Sequence, residues 1–129
     1  MLIGYDLQLI TEIKAKKTLH DNMLLFTKDE LAYCKMKVDF FESLAGIFSS
    51  KEAFIKAASG LVNLPKYNFT DMGVLHGSNG RPIMYLHNKL LEFFEKNNLF
   101  VDISISHTGD LAGATALIYR GVVNEKLPA

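Results

Sequence analysis

The sequence lacks much that would narrow its chemistry at once. Its single cysteine, Cys34, excludes an internal disulfide and supplies no metal-ligand spacing, which suits a reducing compartment. Neither sign of charge is in excess, since 14 Lys plus Arg balance 14 Asp plus Glu, and nothing global points to nucleic acid or an anionic membrane. No apolar stretch approaches the length that spans a bilayer. Met1-Leu2-Ile3-Gly4-Tyr5-Asp6 has no basic region followed by a long apolar run, so it does not read as a signal peptide. The expectation is a cytoplasmic protein with no nucleic-acid and no membrane partner. Neither a Walker-type lysine loop nor a dinucleotide glycine fingerprint follows any strand pattern. His20, His76, His87 and His107 show none of the zinc-ligand spacings. No repeat at solenoid period is visible.

What is there fits one domain, residues 1–129. The length is close to the modal size of a domain, 49% of the residues are apolar, and no low-complexity tract interrupts them. From Leu2 to Ile10 the pattern alternates, with Ile3, Tyr5, Leu7 and Leu9 on one face and Gly4, Asp6 and Gln8 on the other, which predicts a strand. Gly4 leaves room beside Asp6 for a ligand or another backbone, although from this segment alone Asp6 reads more readily as a solvent-facing residue of an edge strand. Lys14, Lys16 and Lys17 make a short basic run, a solvated face and a candidate dock for an acidic partner. Phe26-Thr27-Lys28-Asp29-Glu30-Leu31 is a helix start, with Thr27 as N-cap and Glu30 closing a capping box, and that helix is expected to reach about Lys37. A longer helix is expected from Phe40 to about Ser59, ending at Gly60. Strands are expected at Phe69–His76 and Ile83–Leu86 around the breaker-rich turn 77–82, and a helix from Leu86 to Asn97-Asn98. Phe100–Ser106 and Leu111–Tyr119 read as a hairpin joined by 107–110, and Asn124–Ala129 as a frayed tail. Elements mixed without strict alternation predict an α+β fold, a mostly antiparallel sheet packed with a long central helix.

The chemistry concentrates in the long helix. Phe41, Ala45, Phe48 and Ile55 recur at helical spacing, and Glu52 falls inside their arc with Lys51 and Lys56 at its margins. A carboxylate turned toward a core costs several kcal/mol unless it is paired or bound to metal, so Glu52 needs a partner. The opposite side of the helix carries Gly46, Ser49, Ser50, Ala53 and Ala57, small residues that admit close approach of a strand or a ligand. Two carboxylates, Asp6 and Glu52, suit magnesium, which takes one or two protein carboxylates and completes its shell with water and phosphate. Lys51 and Lys56 could then neutralise phosphate oxygens. Spacing alone does not bring Asp6 to Glu52, and Glu52 with Lys56 is also an ordinary i,i+4 helix pair. Ser106 and His107 are adjacent on a strand and point to opposite faces, which argues against a nucleophile and base pair between them.

Five segments, Ile3–Leu7, Phe26–Glu30, Leu44–Ala57, Asn79–Pro82 and Ile103–Thr108, occur in the order seen in holo-acyl-carrier-protein synthases, the small single-lobed 4'-phosphopantetheinyl transferases, and the chain resembles that family over nearly its whole length. The resemblance implies the 4'-phosphopantetheinyl transferase-like fold. It also implies magnesium-dependent transfer of the phosphopantetheine arm of coenzyme A to a serine of an apo acyl-carrier protein, as in fatty acid biosynthesis, with release of adenosine 3',5'-bisphosphate. It implies that Asp6 and Glu52 bind magnesium and that Lys56 stabilises the developing charge, with Lys51 a further candidate cofactor-binding residue. Ser106, His107 and Thr108 would contact coenzyme A, and Gly80, Arg81 and Pro82 would border its adenine and 3'-phosphate. Members of the family look like homotrimers with sites between subunits. The chain departs from the family pattern at Glu12 and Ile47, where arginine is usual, and at Ala58-Ser59-Gly60-Leu61, where a Gly-Thr-Gly turn is usual. A non-catalytic coenzyme A-binding or interaction module on the same scaffold is the alternative.

Overall fold

The computed structural model describes residues 1–121, so the Asn124–Ala129 tail lies outside the described residues. β1 (Leu2–Leu9) runs directly into a short helix α1 (Ile10–Ala15) that the alternating pattern does not announce. Its start is fixed from the far end of the chain. Thr11 donates its backbone N–H (3.0 Å) and its hydroxyl (2.6 Å) to the Asp110 carboxylate, while Ile10 and Ile13 enter the core.

α2 (Lys28–Lys35) begins at the expected capping box, with Glu30 N–H donating to Thr27 Oγ1 and Thr27 N–H to Glu30 Oε1. It ends two residues short of Lys37. α3 (Phe40–Ala58) starts at the Asp39 N-cap and forms the predicted long helix. β2 (Met72–His76) and β3 (Pro82–Leu86) make a two-stranded hairpin. The first three residues of the expected strand, Phe69–Asp71, are instead a 3-10 turn. α4 (Asn88–Lys96) follows, then β4 (Leu99–Thr108) and β5 (Leu111–Arg120). Both strands of that hairpin extend beyond the sequence expectation and leave only Gly109 and Asp110 in the turn. Gly109 has φ 55°, the left-handed conformation that two-residue hairpins require.

β1, β5 and β4 form an antiparallel sheet in that order, with Asp6 opposite Ala114 and Ala114 opposite Ile105. The fold is therefore α+β with antiparallel sheets, as the sequence predicts. α3 lies across one face of the three-stranded sheet, and α2 and β2 pack on its other side. Small residues set the closeness of that contact: Ala112, Ala114 and Ala116 of β5 are buried beneath the helix. At Gly4 a Cβ would overlap the Ala53 carbonyl oxygen and reach within 2.6 Å of the Ala57 nitrogen, so β1 touches the helix backbone there. The small-residue side of α3 thus serves tight packing against a strand.

The two faces of β1 are the reverse of a simple amphipathic strand. Gly4 and Asp6 face α3, whereas Ile3, Tyr5 and Leu7 are 69%, 66% and 59% exposed on the opposite face of the sheet. β1 is an edge strand as expected, but Asp6 does not face solvent, because the helix covers its side.

Candidate active site

Four residues of α3 at i, i+3, i+4 and i+7 spacing, Ser49, Glu52, Ala53 and Lys56, form one face of the helix. Ala53 receives Gly4 of β1, and that close approach sets Asp6 among the three polar members of the stripe. Lys56 Nζ donates to Asp6 Oδ1 (3.0 Å) and to the Tyr5 carbonyl (3.1 Å). Ser49 Oγ shares its one proton between two oxygens of Asp6, the carbonyl (2.9 Å) and Oδ2 (3.1 Å). Each carboxylate oxygen of Asp6 therefore has its own neighbour from α3.

Glu52 is half-buried and, among the described residues, makes no hydrogen bond or ion pair through its side chain. Burial raises its pKa above the ordinary carboxylate value; the nearby negative charge of Asp6 raises it further and Lys56 partly offsets this. Tyr67, from the loop after α3, is raised by burial and then by the charge of Glu52, so its phenol borders the same place. The donor set fits a hard divalent cation: two carboxylates whose charges repel, one of them otherwise unpartnered, are what magnesium binds with one or two protein ligands. Among the described residues no group of three or more His, Cys, Asp or Glu side chains could hold a metal.

Lys51 departs from the sequence expectation. Its side chain is 0% exposed, and its ammonium donates to Glu30 Oε1 (2.6 Å) and the Leu25 carbonyl (2.8 Å) with the rings of Phe26 and Phe69 at 5.5 and 5.9 Å. Burial lowers its pKa, with Glu30 acting in the opposite sense. Glu30 is itself saturated, accepting from Thr27 N–H and, on Oε2, from Val74 N–H (2.8 Å). The ammonium is thus committed to joining α2, α3 and β2 and does not reach phosphate. The fully buried charge of the Lys51-Glu52 pair is the lysine, because the arc of Phe41, Phe48 and Ile55 is only half-covered while α2 and β2 enclose Lys51. Cys34 is buried nearby, and burial, then Glu30's charge, push its thiol up to about 12.

The remaining predicted residues lie elsewhere. Gly80 and Arg81 occupy the β2–β3 turn, where Gly80 takes φ 82°, and Pro82 opens β3. Arg81 and Pro82 border a shallow groove with Asp102, Ser104, Thr115 and Leu117. Ser106 and His107 fall on opposite faces of β4 as expected, and His107 Nε2 is 3.2 Å from Glu42 Oε1 at the start of α3. Ser106 and Thr108 line a second groove with Leu7, Leu111 and Gly113, and Ser106 joins Tyr5 and Asp6 in a third. Among the described residues no hydrogen bond or ion pair links Arg81, Ser106 or His107 to Asp6, Glu52 or Lys56. Sequence reasoning overlooked Ser49, Glu30 and Tyr67 as members or supports of the site. The capping box was the one available signal for Glu30, and Ser49 had only its place three residues before Glu52.

Comparison with known proteins converges on one family. A family model described as the 4'-phosphopantetheinyl transferase superfamily matches residues 2–115. The holo-[acyl-carrier-protein] synthase of Borrelia hermsii is 38% identical over 95 residues, 72% of this chain and 76% of its own length. That of Clostridium botulinum is 33% identical over 118 residues, 90% and 94%. Among solved structures, the ACPS-CoA complex of Chronobacterium ammoniagenes superposes with a TM-score of 0.79 at 26% identity, covering 94% of this chain and 98% of that one. The Helicobacter pylori holo-[acyl-carrier-protein] synthase in complex with coenzyme A superposes with 0.73 at 27% identity, covering 92% and 100%.

Proposed function

This chain belongs to the 4'-phosphopantetheinyl transferase superfamily and is a phosphopantetheinyl transferase enzyme, and we propose that it moves the 4'-phosphopantetheine arm of coenzyme A onto a serine hydroxyl of an apo acyl-carrier protein. The observation that carries this is the meeting of Asp6, from an edge strand, with Glu52 and Lys56, from one helix face. Asp6 and Glu52 would hold magnesium, which when bound supplies positive charge to the pyrophosphate. The carrier serine hydroxyl gives up its proton to water as its oxygen forms the new bond to the phosphorus that bears pantetheine, and the pyrophosphate bond breaks to release adenosine 3',5'-bisphosphate. Lys56, 55% exposed at the rim, would stabilise the charge that grows on the transferred phosphoryl group. Arg81 with Gly80 and Pro82, and Ser106 with His107 and Thr108, would hold the nucleotide end of coenzyme A.

The proposal extends to assembly and partner. The outer face of the sheet, with Ile3, Tyr5 and Leu7 exposed on β1 and Phe100 46% exposed on β4, supports a homotrimer in which neighbouring copies cover it. Such an assembly would bring the separate grooves of different copies to one cofactor. Exposed Lys14 on α1, with Lys16 and Lys17 just after it, offers charge to an acidic carrier, with Glu12 of opposite sign two residues before Lys14. We place the enzyme, as one domain over 1–129, in the cytoplasm and in fatty acid biosynthesis. Among the described residues no helix is long and apolar enough to cross a membrane.

The test is to incubate the protein with magnesium, coenzyme A and candidate apo-carriers, then weigh the carrier. A phosphopantetheine mass gain, lost in Asp6→Ala and Glu52→Ala with circular dichroism unchanged, is the expected result. Full turnover in those variants would remove the assignment of the site. Coenzyme A binding without transfer to any carrier would favour the non-catalytic module.

A further inference from the structure

Two serines of α3, Ser49 and Ser50, and Ser59 at its C-cap differ in where their hydroxyls go. Ser50 donates back to the Ile47 carbonyl (2.7 Å) and Ser59 to the Lys56 carbonyl (2.6 Å), the usual local bond of a helical serine. Ser49 alone of the three leaves its helix. Its hydroxyl is fully buried, and among the described residues its hydrogen-bond partners are both atoms of Asp6, the carbonyl oxygen and Oδ2. A buried hydroxyl is bound to a partner with little freedom to exchange it for water.

We propose that Ser49 is the positioning residue of Asp6, holding its carboxylate for a divalent cation shared with Glu52. This rests on the metal reading given above. The geometry gives the reason for a hydroxyl at this point. Gly4 presses β1 onto the backbone of α3, so the separation of Ser49 from Asp6 is set by packing and not by side-chain reach. Lys56 also holds Asp6, but through a cation that opposes a second cation at the same carboxylate. Ser49 is neutral: its one proton, shared between the Asp6 carbonyl and Oδ2, ties the carboxylate to its own backbone and leaves the negative charge available. Fixing a ligand by a hydrogen bond from behind is how proteins orient carboxylates toward metals, and loss of such a partner weakens affinity or activity by about 10- to 100-fold. With Lys56 still in place, the lower end applies.

The experiment measures Mn(II) binding by electron paramagnetic resonance of the free ion, on the intact protein without coenzyme A or carrier. Wild type, Ser49→Ala, Ser49→Cys and Asp6→Asn are compared, each with its melting temperature. Expected are an Mn(II) dissociation constant about 10-fold weaker in Ser49→Ala, an intermediate value in Ser49→Cys, whose thiol is a poor donor, and no binding in Asp6→Asn. In turnover, the magnesium concentration at half-maximal rate should rise by the same factor while the rate at saturating magnesium falls less. Mn(II) binding equal to wild type in both Ser49 variants, with Asp6→Asn abolishing it, would overturn the role of Ser49 and leave the metal reading standing. No Mn(II) binding by the wild type would remove the metal reading, and the role of Ser49 with it.

Discussion

Ionisation of Glu52 is opposed by partial burial and by the charge of Asp6, with Lys56 giving partial relief. A group whose pKa is higher in the folded chain than in the unfolded one adds stability that is full below the unfolded value, 4.5 for this carboxyl, and lost as the pH rises through the folded value. In metal-free protein Glu52→Gln should therefore melt higher than wild type at pH 7, with the gap closing toward pH 4. Thermal melts in a chelator across that range check the sign, and a variant less stable than wild type at pH 7 would contradict it. The same variant should lose transfer, since a site residue that costs stability is kept for function. Lys51, its neighbour, is expected to behave in the opposite way. Lys51→Met leaves Glu30 buried without its counter-charge, which costs about 3–5 kcal/mol, read as a fall in the urea midpoint. How little of this contrast was legible in the sequence has a plain cause. Helical spacing gives the angle between Lys51 and Glu52 but not which arc its neighbours cover, and the enclosing residues, Glu30, Leu25 and Val74, lie at least 21 positions away.

At the scale of elements, the site depends on one contact distance. Gly4 lets β1 lie on the backbone of α3, and Gly4→Ala would force the two apart against main-chain atoms that have no rotamer to yield. Overpacking of this kind costs about 1–3 kcal/mol. Because Asp6 is two residues along the same strand, transfer should fall further than stability does; a variant that lost stability yet transferred at the wild-type rate would detach the contact from the site. The elements themselves were largely readable. Thr27 and Glu30 announced α2, and the run from Phe40 to Gly60 announced α3, because capping and periodicity are local. α1 was not, since six residues carry too little period and its start is tied to Asp110, 99 positions away. The meeting of Asp6 with Glu52 was not readable from spacing either, because it is created by packing β1 on α3. The family resemblance supplied it.

The whole molecule presents its sheet with one face to α3 and the other to the outside. Ile3, Tyr5 and Leu7 form an apolar surface too continuous for a solvated strand. Leu7→Asp should break the proposed trimer, seen as a fall in mass by sedimentation equilibrium, and reduce transfer while leaving the circular dichroism of the chain intact. An unchanged mass would set the subunit contact elsewhere. β1 thus carries two messages on alternate residues, Gly4 and Asp6 addressed to the helix, Ile3, Tyr5 and Leu7 addressed outward. A strand written on both sides has no spare letters. One residue inserted between Leu2 and Tyr5 would exchange the two texts, turning a carboxylate outward and a tyrosine toward Ser49. Chemistry and assembly would then fail in a single step, although substitutions can take them apart one at a time.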